Sequence, residues 1–277
     1  MFKINAFADE AGNDFEEQLK ALGENKLDGL EIRNLDGQNV VGLSMEKAKE
    51  VRDRLSDKGL SVWSIGSPIG KIGIADPFDE HLDLFKHSLD IAQVLGAKVY
   101  RMFSFYIPKD ANPVSYKDEV FERLLQLCEA AKNYVITLCH ENEKDIYGDT
   151  ASRCLEIHRE IPQIRAVFDP ANFIQCGQDT LTAWEMLEPY IEYMHIKDAL
   201  SDGSVVPAGK GKGNISVLLE KYKKIGGKVL TLEPHLKVFA GLETLERVGA
   251  ESIVGKYEYP SNREAFDAAV AALKEIL

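Results

Sequence analysis

Four acid or imidazole side chains, each at the end of a short apolar run, are the residues of this chain best suited to carry chemistry. They are Glu141 in YVITLCHENE, Asp169 in IRAVFDPAN, His195 in IEYMHIKD and Glu233 in KVLTLEPH. Three carboxylates and one imidazole suit a divalent ion such as Mn²⁺, Mg²⁺, Co²⁺ or Zn²⁺. The set predicts a site for one such ion, provided that the fold brings the four runs together.

Each of these residues has a plainer interpretation when it is taken alone. A glutamate at the end of a strand commonly forms a salt bridge with a loop, and a single buried histidine is often a hydrogen-bonded core residue. Four suitable side chains on four consecutive predicted strands, all at the same end, favour a metal site over four separate structural roles.

Apolar runs alternate with amphipathic segments along the whole chain. The runs are rich in Val, Ile, Leu, Tyr and Phe and are mostly continuous, which is typical of strands covered on both faces. The eight predicted strands are Lys3–Ala8, Gly29–Asn34, Leu60–Ile65, Lys98–Phe103, Tyr134–Glu141, Ala166–Asp169, Tyr193–Lys197 and Val229–Glu233. Eight strand–helix units predict an α/β fold, a (β/α)8 TIM barrel that forms a single domain over residues 1–277. An open doubly wound sheet is disfavoured, because FADEAGND after the first strand lacks the G-x-G-x-x-G pattern.

A barrel would bring the four distant runs to one place. Strands five to eight are neighbours in such a barrel, and their carboxyl ends lie at the catalytic face. Because alternate side chains of a strand face the same way, Glu141 and Glu143 share a face while His140 points toward the helices. By the same alternation, Lys197 shares the face of His195.

Five further residues are candidates for binding a substrate. They are Trp63, Arg101, Asn172, Lys197 and His235. Structural alternatives remain open: core packing for Trp63, a salt bridge with a barrel carboxylate for Arg101, and a loop cap for Asn172. Lys197 has the alternative of an ion pair with Asp198.

Other segments near the predicted strand ends are ambiguous. Glu31 and Arg33 on strand two could contact a substrate or form salt bridges in the barrel, which are the two alternatives given for Arg101 on strand four. The glycine-rich segment VVPAGKGKGN could bind a phosphate or carboxylate through its backbone amides, or it could be a solvated loop. Long inserts at Ser104–Ser115 and His235–Pro260 are typical of loops that cover a substrate.

The motifs CHENE, FDPANF, HIKD and LEPH resemble those of the xylose-isomerase-like TIM barrels. This group contains sugar and sugar-phosphate isomerases, epimerases and inosose dehydratases, and it also includes endonuclease IV. The resemblance extends over nearly the whole chain. It implies that Glu141, Asp169, His195 and Glu233 bind one divalent metal ion, and that Glu141 and Glu233 are catalytic and flank the substrate carbon whose proton moves. Ketose 3-epimerases of the group have a histidine three residues after the metal aspartate, where this chain has Asn172.

The predicted function is a divalent-metal-dependent isomerase or epimerase of a sugar or sugar phosphate. A metal ion bound to a keto-sugar would act as a Lewis acid and stabilise an enediolate, while carboxylates remove and return the proton. Loss of a β-hydroxyl after the same first step would make the protein an inosose dehydratase-like lyase, which is the main alternative. A non-catalytic sugar-binding barrel is another, and an endonuclease IV-like nuclease is disfavoured because the chain is acidic and has only six histidines.

Composition limits the partners and the compartment. The formal net charge of −12 argues against nucleic acid as a partner, because nucleic-acid-binding proteins usually present a basic face. No apolar run approaches the ~18 residues that a membrane span needs, and the four cysteines form no C-x-x-C pair. We therefore expect a cytoplasmic protein that binds a small sugar or sugar phosphate, and by analogy with similar barrels a homo-oligomer.

Overall fold

In the computed structural model, eight parallel strands close into one barrel, which confirms the predicted TIM barrel. The structure describes residues 1–242 and 253–277. The barrel strands are β1 (Lys3–Ala6), β2 (Gly29–Ile32), β3 (Ser61–Gly66), β4 (Val99–Met102), β5 (Thr137–Glu141), β6 (Ile164–Phe168), β7 (Ile191–Ile196) and β8 (Val229–Leu232). Each strand pairs with the next along the chain, and β8 pairs with β1 to close the barrel. All eight carboxyl ends therefore open at the same face.

Helices follow the strands and cover the barrel. They are α1 (Phe15–Glu24), α2 (Met45–Asp57), α3 (Asp79–Leu95), α4 (Lys117–Ala131), α5 (Ala151–Glu160), α6 (Pro170–Gln175), α7 (Thr180–Leu187), α8 (Ile215–Lys224) and α9 (Asn262–Ile276). Local signals set their ends: the Ser44 hydroxyl accepts a hydrogen bond from Lys47 N at the start of α2, and Gly96 ends α3 with φ of 72°. Within the described residues, no helix combines the length and apolarity needed to cross a membrane.

A layer of apolar side chains fills the inside of the barrel below the carboxyl ends of the strands. It consists of Val99, Cys139, Val167, Tyr193 and Val229, each almost completely buried, with Trp63 packed against it. Cys139 precedes Glu141 by two residues, so both side chains face inward, as strand alternation predicts. This layer gives the carboxyl ends of the strands a dry floor.

The region after β6 differs from its predicted structure. The sixth strand ends at Phe168, and Asp169 begins the short helix α6 instead of ending the strand. Asp169 Oδ1 accepts a hydrogen bond from Asn172 N at 2.9 Å, and Pro170 occupies the first helical position. An Asp-Pro pair is a helix-start signal, because the aspartate caps the helix and proline needs no hydrogen-bond acceptor there. The strand interpretation of FDPAN overlooked it.

The structure describes the first of the two long inserts completely and the second only in part. In the first, the backbone of Tyr106 bridges to Gly73 in the loop after β3 and to Ile146 in the loop after β5, so this insert joins its neighbours at the carboxyl face. A covering role for it remains a prediction. The second insert, His235–Pro260, contains residues 243–252, which lie outside the described residues.

Gly148 packs against the buried ring of His140. His140 directly precedes Glu141, one of the predicted metal ligands. A Cβ atom at Gly148 would lie 2.3 Å from His140 Cε1, and His140 Nε2 already bonds Ser104 Oγ at 2.9 Å. We expect Gly148→Ala to lower the free energy of unfolding by about 1–3 kcal/mol, because the ring cannot move without strain. Chemical denaturation measures this change.

Gly23 provides the matched glycine control. A Cβ atom there would meet no atom within 4 Å, and the residue lies in helix α1. Gly23→Ala should raise the free energy of unfolding by roughly 0.5–1 kcal/mol, because alanine favours the helix. Equal effects of the two alanine variants would contradict the packing argument.

Candidate metal centre

The four residues predicted as metal ligands converge at the carboxyl face of the barrel. One donor atom from each of Glu141, Asp169, His195 and Glu233 lies within 4.8 Å of the other three, and all four side chains are buried. His195 Nδ1 lies 3.1 Å from Glu141 Oε1, 3.4 Å from Glu233 Oε2 and 3.8 Å from Asp169 Oδ2. We refer to these four residues as the acid–imidazole cluster.

Strand ends position the cluster. Glu141 is the last residue of β5, and His195 lies near the end of β7. Glu233 directly follows β8, and its backbone N donates to Ile196 O at 3.2 Å, which continues the pairing with β7. Asp169 is fixed differently, as the cap of α6. The ends of three strands and the start of one helix therefore place the four side chains close to one another.

Two asparagines lock the ends of β5 and β6 together. Asn142 Nδ2 donates to Asp169 O at 2.9 Å, and Asp169 N donates to Asn142 Oδ1 at 3.0 Å. Asn172 Nδ2 donates to Glu141 Oε1 at 3.2 Å and to Asn142 O at 2.9 Å. Asn172 was predicted to bind substrate or to cap the loop. Its amide orients Glu141, and both amide hydrogens have protein acceptors, while a contact of Asn172 with substrate stays a prediction.

Three buried cations contact the cluster directly, and two of them, Lys197 and Arg101, are predicted substrate-binding residues. Lys197 Nζ lies 2.8 Å from Glu233 Oε2 and 3.0 Å from Asp169 Oδ2. Arg101 Nε lies 3.2 Å from Glu141 Oε2, which is the salt bridge that the sequence left open for it. Lys197 thus pairs with two of the predicted ligands, so the alternative ion pair with Asp198 is wrong.

A second group of charges adjoins Glu233. The Arg33 guanidinium contacts Asp9 at 2.8 Å, Glu10 at 3.2 Å and Glu233 at 3.2 Å. His235 N donates to Glu10 Oε2 at 2.6 Å, and the His235 ring is buried beside both glutamates. Sequence reasoning missed Asp9 and Glu10. Their signal was the acidic pair directly after the first strand, in FADE.

Most of the predicted substrate-binding residues line one small cavity, and Trp63 does not. The cavity has a volume of about 20 Å³, and its lining is Arg33, Lys71, Arg101, Phe103, Glu141, Glu143, Asn172, Lys197, Glu233 and His235. Trp63 lines a separate cavity of about 420 Å³ with Lys3 and Val229, the first residues of β1 and β8. Trp63 therefore lies away from the cavity of the cluster and packs against the apolar layer of the barrel, so its position favours the alternative of core packing.

The glycine-rich loop binds a carboxylate of the protein itself. The backbone N atoms of Gly209, Gly211 and Gly213 donate to the Asp198 carboxylate at 2.9, 3.0 and 2.8 Å. These backbone amides were candidates for binding a phosphate or carboxylate ligand. They donate to Asp198 of the same chain, and these hydrogen bonds fix the loop. Asp198 points toward this loop while Lys197, one residue earlier, faces the cavity.

The charges of the site fit a divalent cation. Carboxyl groups outnumber Lys and Arg by seven to four in the described part of the site. The carboxyl groups are Asp9, Glu10, Glu31, Glu141, Glu143, Asp169 and Glu233, and the cations are Arg33, Lys71, Arg101 and Lys197. Asp169 Oδ2 is buried, and it lies 3.0 Å from Lys197 Nζ and 3.8 Å from His195 Nδ1. The excess of carboxyl groups over cations, together with the convergence of three carboxylates and one imidazole, suits a divalent ion, so the cluster would hold it.

Protons compensate for this charge when only protein groups are present. Burial raises the pKa of Asp169 to about 7, although the Lys197 ammonium opposes the shift. Burial alone would lower the pKa of His195, but the carboxylates of Glu141 and Glu31 outweigh it and raise that pKa well above its usual value. Both groups must lose protons before they can act as metal ligands.

Comparison with known proteins gives one family match and several relatives. Residues 17–276 match the family model described as xylose isomerase-like TIM barrel. A 3-dehydroshikimate dehydratase of Bacillus anthracis is 21% identical over 180 residues, which cover 64% of this chain and 64% of that protein. The match therefore spans less than two thirds of the length of this curated relative.

Two solved structures share the fold. The IolI protein, whose crystal structure contains a zinc atom, superposes with a TM-score of 0.75 at 16% identity over 100% of this chain and 98% of that chain. A D-tagatose 3-epimerase-like protein superposes with a TM-score of 0.74 at 19% identity over 99% and 96% of the two chains. These likenesses show a common barrel architecture.

The proton content of the cluster predicts pH-dependent metal binding. We expect the affinity for Mn²⁺ to rise between about pH 6 and pH 8, because a bound ion must displace protons from Asp169 and His195 and fewer remain as the pH rises. Titration calorimetry in two buffers of different ionisation enthalpy measures both the affinity and the protons released. Asp169→Asn should bind more weakly and release fewer protons. An affinity that does not change over this range would contradict the proposed protonation of the cluster.

Proposed function

Since the chain belongs to the xylose isomerase-like TIM barrel family, we propose that it is a divalent-metal-dependent isomerase or epimerase of a sugar or sugar phosphate. The observation that carries the proposal is that Glu141 and Glu233 line one cavity and both lie within hydrogen-bonding or ionic distance of His195 Nδ1. When bound, the metal ion would supply a Lewis acid that makes the C–H bond next to a carbonyl more acidic. The protein must then supply groups that accept and return the proton.

Glu233 is suited to accept a proton from carbon. Burial alone would raise its pKa, but the positive charge of Lys197 and the hydrogen bond with His195 hold the pKa of Glu233 well below its usual value. The carboxylate is therefore ionised and ready to act as a general base. Arg33 and Lys197 contact one oxygen each, at 3.2 and 2.8 Å, and fix its orientation.

Glu141 is suited to return the proton to the substrate from another position in the same cavity. Asn172 and Arg101 each contact one of its oxygens, so its carboxylate is held in place. Return of the proton to the neighbouring carbon would give an aldose–ketose isomerisation, and return to the opposite face of the same carbon would give an epimerisation. Two fixed carboxylates in one cavity support both outcomes.

Dehydration is the second candidate, and Lys197 favours it. Loss of a β-hydroxyl requires an acid that protonates the leaving oxygen. The carboxylates of Asp169 and Glu233 raise the pKa of Lys197 well above its usual value despite burial, so the ammonium is retained as a proton donor beside the base Glu233. The relative named as a 3-dehydroshikimate dehydratase supports this alternative.

Proton exchange with solvent tests the proposal. The Mn²⁺-loaded protein should be incubated in D₂O with a panel of ketoses, ketose phosphates, inososes and 3-dehydroshikimate, and the products should be followed by NMR. We expect deuterium to enter at a carbon next to a carbonyl, since the abstracted proton mixes with solvent. Glu233→Gln should reduce this exchange at least about a hundredfold, because the amide cannot accept the proton.

The controls separate the possible functions. Glu192→Gln on β7 makes the same chemical change at a residue that pairs with Arg165 outside the cavity, and it should leave exchange unchanged. A rearranged sugar with retained oxygen supports isomerisation or epimerisation, whereas a product lacking one water molecule supports the dehydratase. If the protein binds metal but exchanges no proton in any compound of the panel, both the isomerase or epimerase hypothesis and the dehydratase hypothesis are refuted. That result would favour a sugar-binding protein.

A further inference from the structure

Glu31 holds the side of the His195 ring that faces away from the three carboxylates. It is fully buried in β2, and its Oε2 lies 3.0 Å from His195 Nε2. The other ring nitrogen, Nδ1, faces Glu141, Asp169 and Glu233. One imidazole therefore joins a single carboxylate on one side to the proposed metal ligands on the other.

The Glu31 carboxylate is itself fixed from several directions. Tyr193 O–H donates to Glu31 Oε1 at 2.9 Å, and Ser64 Oγ lies 3.3 Å from the Tyr193 hydroxyl. Arg101 Nε lies 3.6 Å from the same Glu31 oxygen. Both oxygens of Glu31 thus have assigned partners, and the carboxylate cannot turn away from His195 without losing contacts in the barrel interior.

The geometry selects one form of the imidazole. A neutral imidazole carries one hydrogen, and a carboxylate accepts hydrogen bonds but donates none. Carboxylates face both ring nitrogens, with Glu31 Oε2 at 3.0 Å from Nε2 and Glu141 Oε1 at 3.1 Å from Nδ1. Because a metal ion among the three acids would take the place of the hydrogen at Nδ1, the one remaining hydrogen would lie on Nε2, where Glu31 accepts it. A histidine ligand commonly donates its second ring N–H to an acceptor that sets its tautomer and orientation.

We propose that Glu31 is a positioning residue that fixes the tautomer and orientation of His195 for binding of the divalent ion. The inference rests on the metal site of the proposed function. The ring also makes edge contacts with Phe7 and Tyr193, with centroids 5.3 and 5.5 Å away. Those contacts fix the plane of the ring, but they do not decide which nitrogen carries the hydrogen.

Two leucine variants separate this role from a general effect of charge. Glu31→Leu and Glu143→Leu each remove one carboxylate near the same cavity, from a fully buried position at Glu31 and from a side chain that is 13% exposed at Glu143. Only Glu31→Leu removes the acceptor at His195 Nε2, because Glu143 pairs with Lys71 at 3.0 Å. We expect the Mn²⁺ affinity, measured by titration calorimetry, to fall about tenfold to a hundredfold in Glu31→Leu. Glu143→Leu should change it much less.

Two milder variants test the hydrogen bond itself. Glu31→Gln keeps a carbonyl oxygen that can accept from Nε2–H, so its metal affinity should be far closer to wild type than that of Glu31→Leu. In ¹⁵N NMR of the Zn²⁺-bound proteins, His195 should carry its hydrogen on Nε2 in wild type and in Glu31→Gln. Tyr193→Phe removes one donor to Glu31 and should weaken metal binding a few-fold, which supplies the test if Glu31→Leu does not fold.

The outcomes distinguish this inference from the metal site on which it rests. A wild-type protein that binds no metal refutes the site itself. Metal binding by wild type with equal affinities in Glu31→Leu and Glu143→Leu refutes the positioning role alone. A hydrogen found on Nδ1 of His195 in the metal-bound wild type would also overturn it.

Discussion

Burial of several carboxylates at one end of the barrel is the constraint on which the rest of the structure depends. Like charges brought together in a dry site repel one another, and each carboxylate loses its hydration. The protein offsets this with Lys197, Arg33 and Arg101, each in contact with at least one carboxylate. Removing one partner from such a group leaves an uncompensated charge, which is far more costly than losing an exposed ion pair.

The same counter-ions shape the space available to a substrate. A cavity of about 20 Å³ is close to the volume that holds one water molecule, so the sugar of the proposed function would have to displace side chains that line it. The Lys71–Glu143 ion pair, at 3.0 Å, joins the loops after β3 and β5, and the Lys71 ammonium also lies over the Phe103 ring at 4.4 Å. These loops are joined by backbone bridges through Tyr106. In the proposed function, entry of a substrate would therefore require movement of a connected set of loops.

Much of the site could be predicted because strand ends and strand alternation leave simple patterns in the sequence. Those patterns identified the acid–imidazole cluster and the inward face of Glu143. They predict the face of a residue but not its depth: Trp63 does pack against the barrel interior, but toward the amino ends of the strands. Asp9 and Glu10 lie in a short turn after β1 that has no periodic pattern. The partner of the glycine-rich loop, Asp198, could not be predicted because it depends on the path of the loop in space.

The amide at position 172 limits which groups can move protons in this site. The resemblance to ketose 3-epimerases would place a titratable imidazole there, whereas Asn172 neither gains nor loses a proton at neutral pH. Its amide hydrogens are bonded to Glu141 and to the backbone of Asn142, which makes it part of the support for a carboxylate. In the proposed function, proton transfer would therefore use other groups that line the cavity, and the carboxylates and Lys197 are the ones in direct contact with one another. In the proposed function, a carboxylate pair would serve isomerisation and epimerisation, and an adjacent ammonium would also serve loss of water. The position of Lys197 relative to the substrate hydroxyl would then decide between these reactions.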